Sequence, residues 1–221
     1  MITLEQVSFA YGLKGPMVLT DLDLRLRQGE VTALVGPNGC GKTTLGKLLV
    51  GILKPVRGRV QVKGMDTRVT ELSSLGKMIG YLFQEPERQL FAPTVREELS
   101  FVADLMGKKE DGSCERVKHL LERFQLQDFA EDFPFQLSRG EKQRLAIAAV
   151  MVNEPEYFIF DEPTTGLDEL RRKDLSEILK RLVASGTGML IISHDKALVQ
   201  RHAQRLIRLE GGKIIEDRAV A

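Results

Sequence analysis

One stretch of nine residues combines glycines with a lysine and two hydroxyl side chains in a spacing that suits phosphate chemistry. Residues 36–44 match the pattern G-x-x-x-x-G-K-[ST] and follow the apolar stretch Val31 to Val35. In such a loop, backbone N–H groups turn towards a β-phosphate, the lysine spans the β- and γ-phosphates, and the next hydroxyl can bind Mg²⁺. We therefore predict a nucleoside triphosphate site with Lys42 on the phosphates and Thr43 on Mg²⁺. The remaining predicted contacts are Gly36, Pro37, Asn38, Gly39, Cys40, Gly41 and Thr44.

Two adjacent carboxylates, Asp161 and Glu162, end an apolar stretch that begins at Phe158. Neighbouring side chains on an extended segment point in opposite directions, so we expect the two acids to have different roles. Asp161 is predicted to face Mg²⁺ through water, and Glu162 to activate the water that attacks the γ-phosphate. The alternative is an ordinary strand followed by a polar turn at Pro163.

A histidine, His194, follows the next apolar stretch, Met189 to Ser193. A single histidine after a buried strand is usually structural. Here a γ-phosphate is expected nearby, because parallel sheets place their ligands at the carboxyl ends of the strands. We therefore predict that His194 contacts the γ-phosphate.

The segment Leu137-Ser138-Arg139-Gly140-Glu141 has two compatible interpretations. Ser138 and Glu141 have the S-x-x-E spacing of a capping box before an apolar helical run. The same helix start offers a hydroxyl and a glycine that suit an anion. If Lys42 already holds the phosphates of this chain, an anion at Ser138 needs another source, and a partner molecule could supply it.

The elements that must position these residues alternate between strands and helices. A strand with one solvent-exposed face is predicted from the alternation of Leu22, Leu24 and Leu26 with charged residues. Another short strand is predicted at Val60 and Val62, so residues 1–64 are predicted to be β-rich. Further strands are predicted at 79–83, 157–160 and 189–193, and a hairpin near residue 211. Helices are predicted behind the phosphate loop (Leu45, Leu48, Leu49, Ile52), before the strand at 157, and between the last two strands. This alternation predicts an α/β fold with a mainly parallel sheet.

Residues 85–145 are predicted to form a helical insert in a single domain whose core comprises residues 1–84 and 146–221. Thr94 begins a capping box, apolar residues continue to Met106 at helical spacing, and Gly107 offers a C-terminal cap. A second amphipathic helix carries Val117, Leu120, Leu121 and Phe124 on one face. Most of the phenylalanines in the insert are expected in its core, and an exposed subset near Phe91 or Phe133 is expected to form a groove for a partner helix.

Composition limits the partners of the chain. It has 221 residues, 43% of them hydrophobic, and a net charge of +1, so no field directs it to nucleic acid or to an anionic membrane. No stretch reaches the 18 apolar residues of a membrane span, and the N-terminus lacks the basic region of a signal peptide, so the chain by itself is expected to be cytosolic. Cys40 is interpreted as a small residue that fits the phosphate loop, with a redox-regulated thiol as the alternative.

The order of these motifs resembles that of ATP-binding cassette (ABC) ATPases. The phosphate loop is followed by Gln84, residues 137–141, Asp161-Glu162, residues 166–168 and His194. The resemblance implies a P-loop NTPase core with an N-terminal antiparallel β subdomain and an inserted α-helical subdomain. It also implies that the ligands are ATP and Mg²⁺, and that Gln84 links the metal to the helical insert. Tyr11 lies where the family has an aromatic residue that stacks on adenine, the alternative being a tyrosine of the core.

Within that family, residues 83–95 and 161–168 resemble the ATPases of energy-coupling factor importers, which take up vitamins and transition-metal ions. The resemblance implies that two cassettes, alike or different, close head to tail over two ATP molecules. Ser138 and Gly140 of one cassette would face the γ-phosphate held by Lys42 of the other, and Asp168 would contact the interface. Arg139 and Glu141 depart from the commonest family form, which has Gly and Gln there.

The expected function is therefore a Mg²⁺-dependent ATPase that drives a membrane importer by closing and reopening a dimer. An integral membrane subunit would dock on the helical subdomain and hold the chain at the cytoplasmic face of the membrane. Three alternatives are a soluble mechanochemical ATPase of the same superfamily, a sensing module that binds ATP without hydrolysing it, and a small-molecule kinase. The kinase would not explain the Ser138 segment.

Overall fold

The computed structural model describes residues 1–12, 15–105 and 112–220 and contains two β-sheets with α-helices. Within these residues the strands are β1 Ile2–Ala10, β2 Met17–Leu26, β3 Val31–Val35, β4 Arg57–Val62, β5 Met65–Asp66, β6 Ile79–Leu82, β7 Tyr157–Asp161, β8 Gly188–Ile192, β9 Arg205–Glu210 and β10 Lys213–Ala219. The α-helices are α1 Lys42–Leu49, α2 Leu72–Gly76, α3 Val95–Leu105, α4 Gly112–Arg123, α5 Arg139–Met151, α6 Glu169–Ala184 and α7 Lys196–His202.

The larger sheet carries the strands that lead into the predicted site. Its order is β10-β9-β3-β8-β7-β6, and β9, β3, β8, β7 and β6 are parallel to one another. β10 adds an antiparallel edge through the hairpin at Gly211. β7 and β8 are buried along their whole length, as expected for strands that are covered on both faces. The prediction of a mainly parallel α/β sheet is confirmed.

The smaller sheet forms the predicted N-terminal β subdomain. Its order is β2-β1-β4-β5, with antiparallel neighbours throughout. In β2 the leucines Leu22, Leu24 and Leu26 are buried and alternate with exposed charged residues. The period-two pattern therefore identified both the strand and its core face.

Two large apolar clusters lie on the two faces of the larger sheet. Along β7, Phe158 and Phe160 belong to the cluster that includes residues of α3, α4, α5 and α6. Tyr157 and Ile159 belong to the cluster that includes α1 and the smaller sheet. Alternate side chains of one strand thus connect both cores, which fixes the position of the end of β7.

The helical insert is present, but its predicted boundary is not marked by a break. α3 packs against α4 and α5, while α5 runs without interruption from Arg139 to Met151, so residue 145 lies inside a helix. The reason is that the buried face of α5 is shared by the insert and the sheet. The predicted end of the first helix at Met106 and the cap at Gly107 lie outside the described residues.

Two expectations about apolar residues are wrong. Four of the six phenylalanines in the insert are about half exposed, and only Phe124 is fully buried. The exposed residues are Phe91, Phe101, Phe133 and Phe135. The core of the insert is filled mainly by aliphatic side chains from its helices. Ile52 lies beyond the end of α1 at Leu49 and is exposed, because the chain turns after the helix.

Candidate functional site

The phosphate loop turns β3 into α1. Gly41 is the N-cap of α1 and has a φ of 105°, a left-handed conformation that glycine adopts without steric cost. The Nζ atom of Lys42 donates to the backbone oxygens of Gly36 at 2.8 Å and Pro37 at 3.0 Å. The lysine is thereby held across the loop, with its amine close to the backbone that would surround a phosphate. Cys40 is buried, in keeping with its interpretation as a packing residue.

A cavity of about 600 Å³ brings most of the predicted site residues together. The loop contributes one wall, and the ends of β7 and β8 contribute another. Gln84 reaches the cavity from the segment after β6. The predicted residues that line it are Tyr11, Asn38, Gly39, Gly41, Lys42, Thr43, Thr44, Gln84, Asp161, Glu162 and His194.

Asp161 is the last residue of β7 and is almost fully buried. Its Oδ2 accepts a hydrogen bond from the hydroxyl of Tyr81 at 2.9 Å, and its Oδ1 has no hydrogen-bond partner among the described residues. Burial raises the pKa of Asp161, and the nearby hydroxyls of Thr43 and Tyr81 and the amines of Lys47 and Lys42 partly offset that rise. A buried carboxylate oxygen without a partner, close to the Thr43 hydroxyl, fits the oxygen ligands that Mg²⁺ requires.

Glu162 also lines the cavity, although its backbone is not extended as the sequence analysis assumed. Its φ is +50°, so the backbone leaves the extended conformation and the rule of opposite side-chain directions does not apply. Such a conformation is strained for a residue with a side chain. Both carboxylates therefore border the same space. Burial raises the pKa of Glu162, and the charge and backbone N–H of His194 lower it in part.

His194 lies beside Glu162. Its Nε2 is 3.1 Å from Oε1 of Glu162, and its backbone N–H donates to Oε2 at 3.4 Å. The imidazole is half-exposed and lines the cavity. His194 can therefore contact both the carboxylate and a group bound in the cavity.

Tyr11 lies at the entrance of the cavity and is not a core residue. Its side chain is 55% exposed, and its hydroxyl forms a 2.9 Å hydrogen bond with Oγ1 of Thr44. Phe9 packs against the ring edge-to-face at a centroid distance of 4.9 Å. An exposed aromatic ring held in this way offers a flat surface at the cavity mouth.

Six predicted site residues are not among the residues that line this cavity: Gly36, Pro37, Cys40, Ser138, Gly140 and Asp168. The first three belong to the phosphate loop itself, whereas the other three lie on other elements. Ser138 is the N-cap of α5, and the predicted capping box is complete. The N–H of Ser138 donates to Oε2 of Glu141 at 2.8 Å, and the N–H of Glu141 donates to the Ser138 hydroxyl at 3.4 Å. Asp168 caps α6 by accepting from the N–H of Arg171 at 2.8 Å. The Ser138 surface is thus separate from the Lys42 cavity within one chain.

The structure also explains how an arginine fits into the Ser138 segment. The guanidinium of Arg139 lies over Gly166, where a Cβ atom would clash with its Nη1. Gly166 has a φ of +73°. The absence of a side chain at Gly166 therefore provides the space that Arg139 occupies.

The sequence reasoning missed three residues around the site. Val18 and Thr165 line the cavity, and Tyr81 bonds to Asp161. The available signal for Tyr81 was a polar-tipped side chain in an otherwise apolar strand. It became informative only with the register that pairs Tyr81 with Ile159, two residues before Asp161.

Comparison with known proteins identifies the family. Residues 19–165 match the family described as ABC transporter. The chain belongs to this family. It is 38% identical over 219 residues to the energy-coupling factor transporter ATP-binding protein EcfA of Methanothermobacter thermautotrophicus. The aligned residues cover 98% of this chain and 70% of EcfA. The resemblance to ABC ATPases, including those of the energy-coupling factor type, is confirmed.

Solved structures of ABC cassettes share the fold. CbiO1 of Clostridium perfringens, described as part of the ABC transporter complex cbiONQ, superposes with a TM-score of 0.86 at 32% identity, covering 99% of this chain and 88% of that one. The cassette MJ0796, solved as a dimer in a post-hydrolysis state with ADP and Pi, gives a TM-score of 0.89 at 25% identity, covering 100% and 99%. The predicted fold, that of an ABC ATPase, is confirmed.

The length of other relatives limits what family membership establishes. The chain spans only 37–40% of the length of three curated ABC transporter ATP-binding proteins with which it shares 39–43% identity. Among the residues that the structure describes, no helix is both long enough and apolar enough to cross a bilayer. The partners and the transported solute of this ABC chain are therefore matters for proposal.

Proposed function

We propose that this chain hydrolyses ATP with Mg²⁺ as the nucleotide-binding subunit of a membrane importer. The observation that carries the proposal is the shared cavity of Lys42, Thr43, Asp161, Glu162 and His194. It combines a cation for phosphates, oxygen ligands for a metal and a base beside them. The family of the chain and the ADP and Pi bound to MJ0796 support it.

Each side chain has a distinct part in this proposal. Lys42 and the loop N–H groups would bind the phosphates, while Thr43, Asp161 and Gln84 would hold the metal. Mg²⁺, when bound, neutralises phosphate charge. Glu162 accepts a proton from the attacking water, and its burial strengthens it as a base by raising its pKa. His194, 3.1 Å from Glu162, donates towards the γ-phosphate and restrains the carboxylate.

Replacement of the proposed base tests this assignment. Glu162→Gln keeps the shape of the side chain but removes its basicity, so we expect ATP affinity to be retained and turnover to fall about 10²- to 10⁴-fold. Phosphate release and equilibrium ATP binding are the measurements. Glu177→Gln is the control, because Glu177 lies on the exposed face of α6. Turnover retained in Glu162→Gln would reject the role of Glu162.

The proposal requires two cassettes. Ser138, Gly140 and Asp168 do not line the cavity that contains Lys42, so in a single chain they have no bound phosphate to contact. We propose that they complete the site of a second cassette, identical or related, in a head-to-tail pair. The dimeric state of MJ0796 supports such pairing.

A second surface is proposed to receive the membrane subunit. A groove of about 300 Å³ lies beside β6 and α5 and is lined largely by apolar side chains, among them Ile52, Tyr81, Phe91 and Val150. Its rim is anchored by Glu98, whose Oε2 accepts from the N–H groups of Phe91 and Ala92 at 2.8 Å each. We propose that it holds a short helix of an integral membrane subunit, in accord with the cbiONQ assembly of CbiO1.

This arrangement would keep the chain at the cytoplasmic face of the membrane. Vitamins and transition-metal ions are the solute classes that we propose, because EcfA and CbiO1 are the relatives that support an energy-coupling factor system. The solute itself would contact only the membrane subunit.

Two exposed phenylalanines provide a matched test of the groove. Phe91→Glu places a charge in the groove and is expected to reduce recovery of the membrane subunit about tenfold when the tagged chain is purified from detergent-solubilised membranes. Phe133→Glu is the control, because Phe133 does not line the groove. The two side chains are similarly exposed, Phe91 at 58% and Phe133 at 45%. ATP hydrolysis by the isolated chain should be unchanged in both. Equal recovery in the two variants would contradict docking at the groove.

A further inference from the structure

A tyrosine of a neighbouring strand holds one oxygen of the carboxylate that ends β7. Tyr81 pairs with Ile159 in the β6–β7 register, so its side chain lies on the same sheet face as Asp161. Its hydroxyl donates to Oδ2 of Asp161 at 2.9 Å, whereas Oδ1 is buried with no described partner. Tyr81 therefore fixes one carboxylate oxygen and leaves the other unpaired in the cavity wall.

The ring of Tyr81 is itself held in place. A Cβ atom on Gly46 of α1 would be 3.1 Å from Cε2 and 3.2 Å from the hydroxyl of Tyr81, so the ring packs closely on the helix backbone. Phe83 contacts the ring edge-to-face at 5.0 Å. An ionised carboxylate can only accept a hydrogen bond, so the phenol O–H of Tyr81 is the donor to Asp161. Its hydrogen bond thus has a fixed direction and a fixed donor.

Tyr81 is also one of the residues of the groove beside β6. Tyr81 lines this groove together with Phe91 and Val150, while its hydroxyl reaches Asp161 in the wall of the Lys42 cavity. Tyr81 is therefore a residue of the groove that also bonds to a residue of the Lys42 cavity. Of the residues that line the groove, Tyr81 is the one whose hydroxyl is bonded to Asp161.

We propose that Tyr81 is a positioning residue for the metal site: its hydroxyl orients Asp161 so that Oδ1 is presented to the Mg²⁺ that accompanies ATP. This inference rests on the proposed function of the Lys42 cavity. Groups that orient a metal ligand usually change metal affinity about 10- to 100-fold when they are removed. Tyr81 does not line the cavity, so binding of ATP without metal should not depend on it.

The test compares two buried tyrosines. Tyr81→Phe removes the hydroxyl and keeps the ring, while Tyr157→Phe removes a buried hydroxyl that has no described hydrogen-bond partner. Mn²⁺ binding in the presence of ATP is measured by electron paramagnetic resonance, and ATP binding is measured separately in EDTA. We expect Tyr81→Phe to weaken Mn²⁺ binding about 10- to 100-fold and to leave metal-free ATP affinity unchanged. Tyr157→Phe should match the wild type in both.

The outcomes separate this inference from the proposed function. Asp161→Asn serves as the reference for loss of a ligand. If Asp161→Asn weakens Mn²⁺ binding and Tyr81→Phe does not, the inference is overturned alone. Equal losses of Mn²⁺ binding and metal-free ATP binding in Tyr81→Phe would also overturn it, because they indicate general loss of packing. A wild-type chain without an ATP-dependent Mn²⁺ site would overturn the proposed function as well.

Discussion

Tyr11 presents an aromatic face to the cavity mouth while its hydroxyl is tied to Thr44 in α1. If adenine stacks on this ring, the ring contributes to binding of the base and not of the phosphates. Stacking of a base on an aromatic side chain is worth about 1–3 kcal/mol. Tyr11→Ala should therefore weaken ATP binding about tenfold and leave tripolyphosphate binding unchanged, as measured by calorimetry.

Tyr11→Phe is the matched variant, because it keeps the ring and removes only the bond to Thr44. It should bind ATP nearly as well as the wild type. If Tyr11→Ala weakens tripolyphosphate binding as much as ATP binding, the ring supports the loop and does not bind the base.

At the scale of single residues, the sequence is most informative where chemistry is encoded by adjacent positions. The phosphate loop and the Asp161-Glu162 pair are contiguous, so their types and spacing were sufficient to place them at one site. Tyr81 and Gly166 could not be found in this way. Their roles depend on strand register and on the path of the Arg139 side chain, which are tertiary properties.

Helix α5 begins with the capping box that the sequence predicted. Ser138 bonds to Glu141 in both directions, and this bonding lowers the pKa of Glu141. A complete cap of this kind stabilises a helix by about 0.3–1.5 kcal/mol. Glu141→Ala should therefore lower the free energy of unfolding by about 1 kcal/mol at pH 7, measured by chemical denaturation.

The cap also predicts a dependence on pH. A carboxylate whose pKa is lowered in the folded state stabilises the fold at neutral pH, and this contribution disappears as the pH falls through that lowered value. Glu141→Gln keeps the hydrogen-bonding oxygen without the charge, so it should be less stable than the wild type at pH 7. The difference should begin to shrink near the ordinary Glu pKa of 4.5 and vanish once the pH is below the lowered pKa of the folded state. A difference that persists unchanged in acid would show that the charge of Glu141 is not its cause.

Element boundaries were harder to predict than element types. The alternating leucines of β2 and the helical spacing of α4 gave both elements correctly, because each buries one face. The boundary at residue 145 falls inside a helix and stays a prediction, whereas the extended conformation assumed for Glu162 is wrong. α5 is shared by two parts of the molecule, and Glu162 has a left-handed backbone that no local pattern indicated.

At the scale of the whole molecule, the fold separates two surfaces that the proposed reaction needs together. The larger sheet carries the Lys42 cavity at the ends of its strands, whereas Ser138 starts α5 away from the residues that line that cavity. We propose that a second copy brings the two surfaces together. Dimer formation should therefore depend on ATP and on the charge at Ser138.

Two substitutions that both preserve the helix cap test this dependence. Asp and Asn are as good as Ser at an N-cap, but only Ser138→Asp places a negative charge against the phosphate held by the other cassette. In a Glu162→Gln background, which retains ATP, we expect sedimentation to show ATP-dependent dimers for the parent and for Ser138→Asn. Ser138→Asp should weaken dimerisation about 100-fold, since opposed like charges cost several kcal/mol. Its monomer should still bind ATP, because Ser138 does not line the Lys42 cavity. Dimers of Ser138→Asp as stable as those of Ser138→Asn would contradict a phosphate shared between two chains.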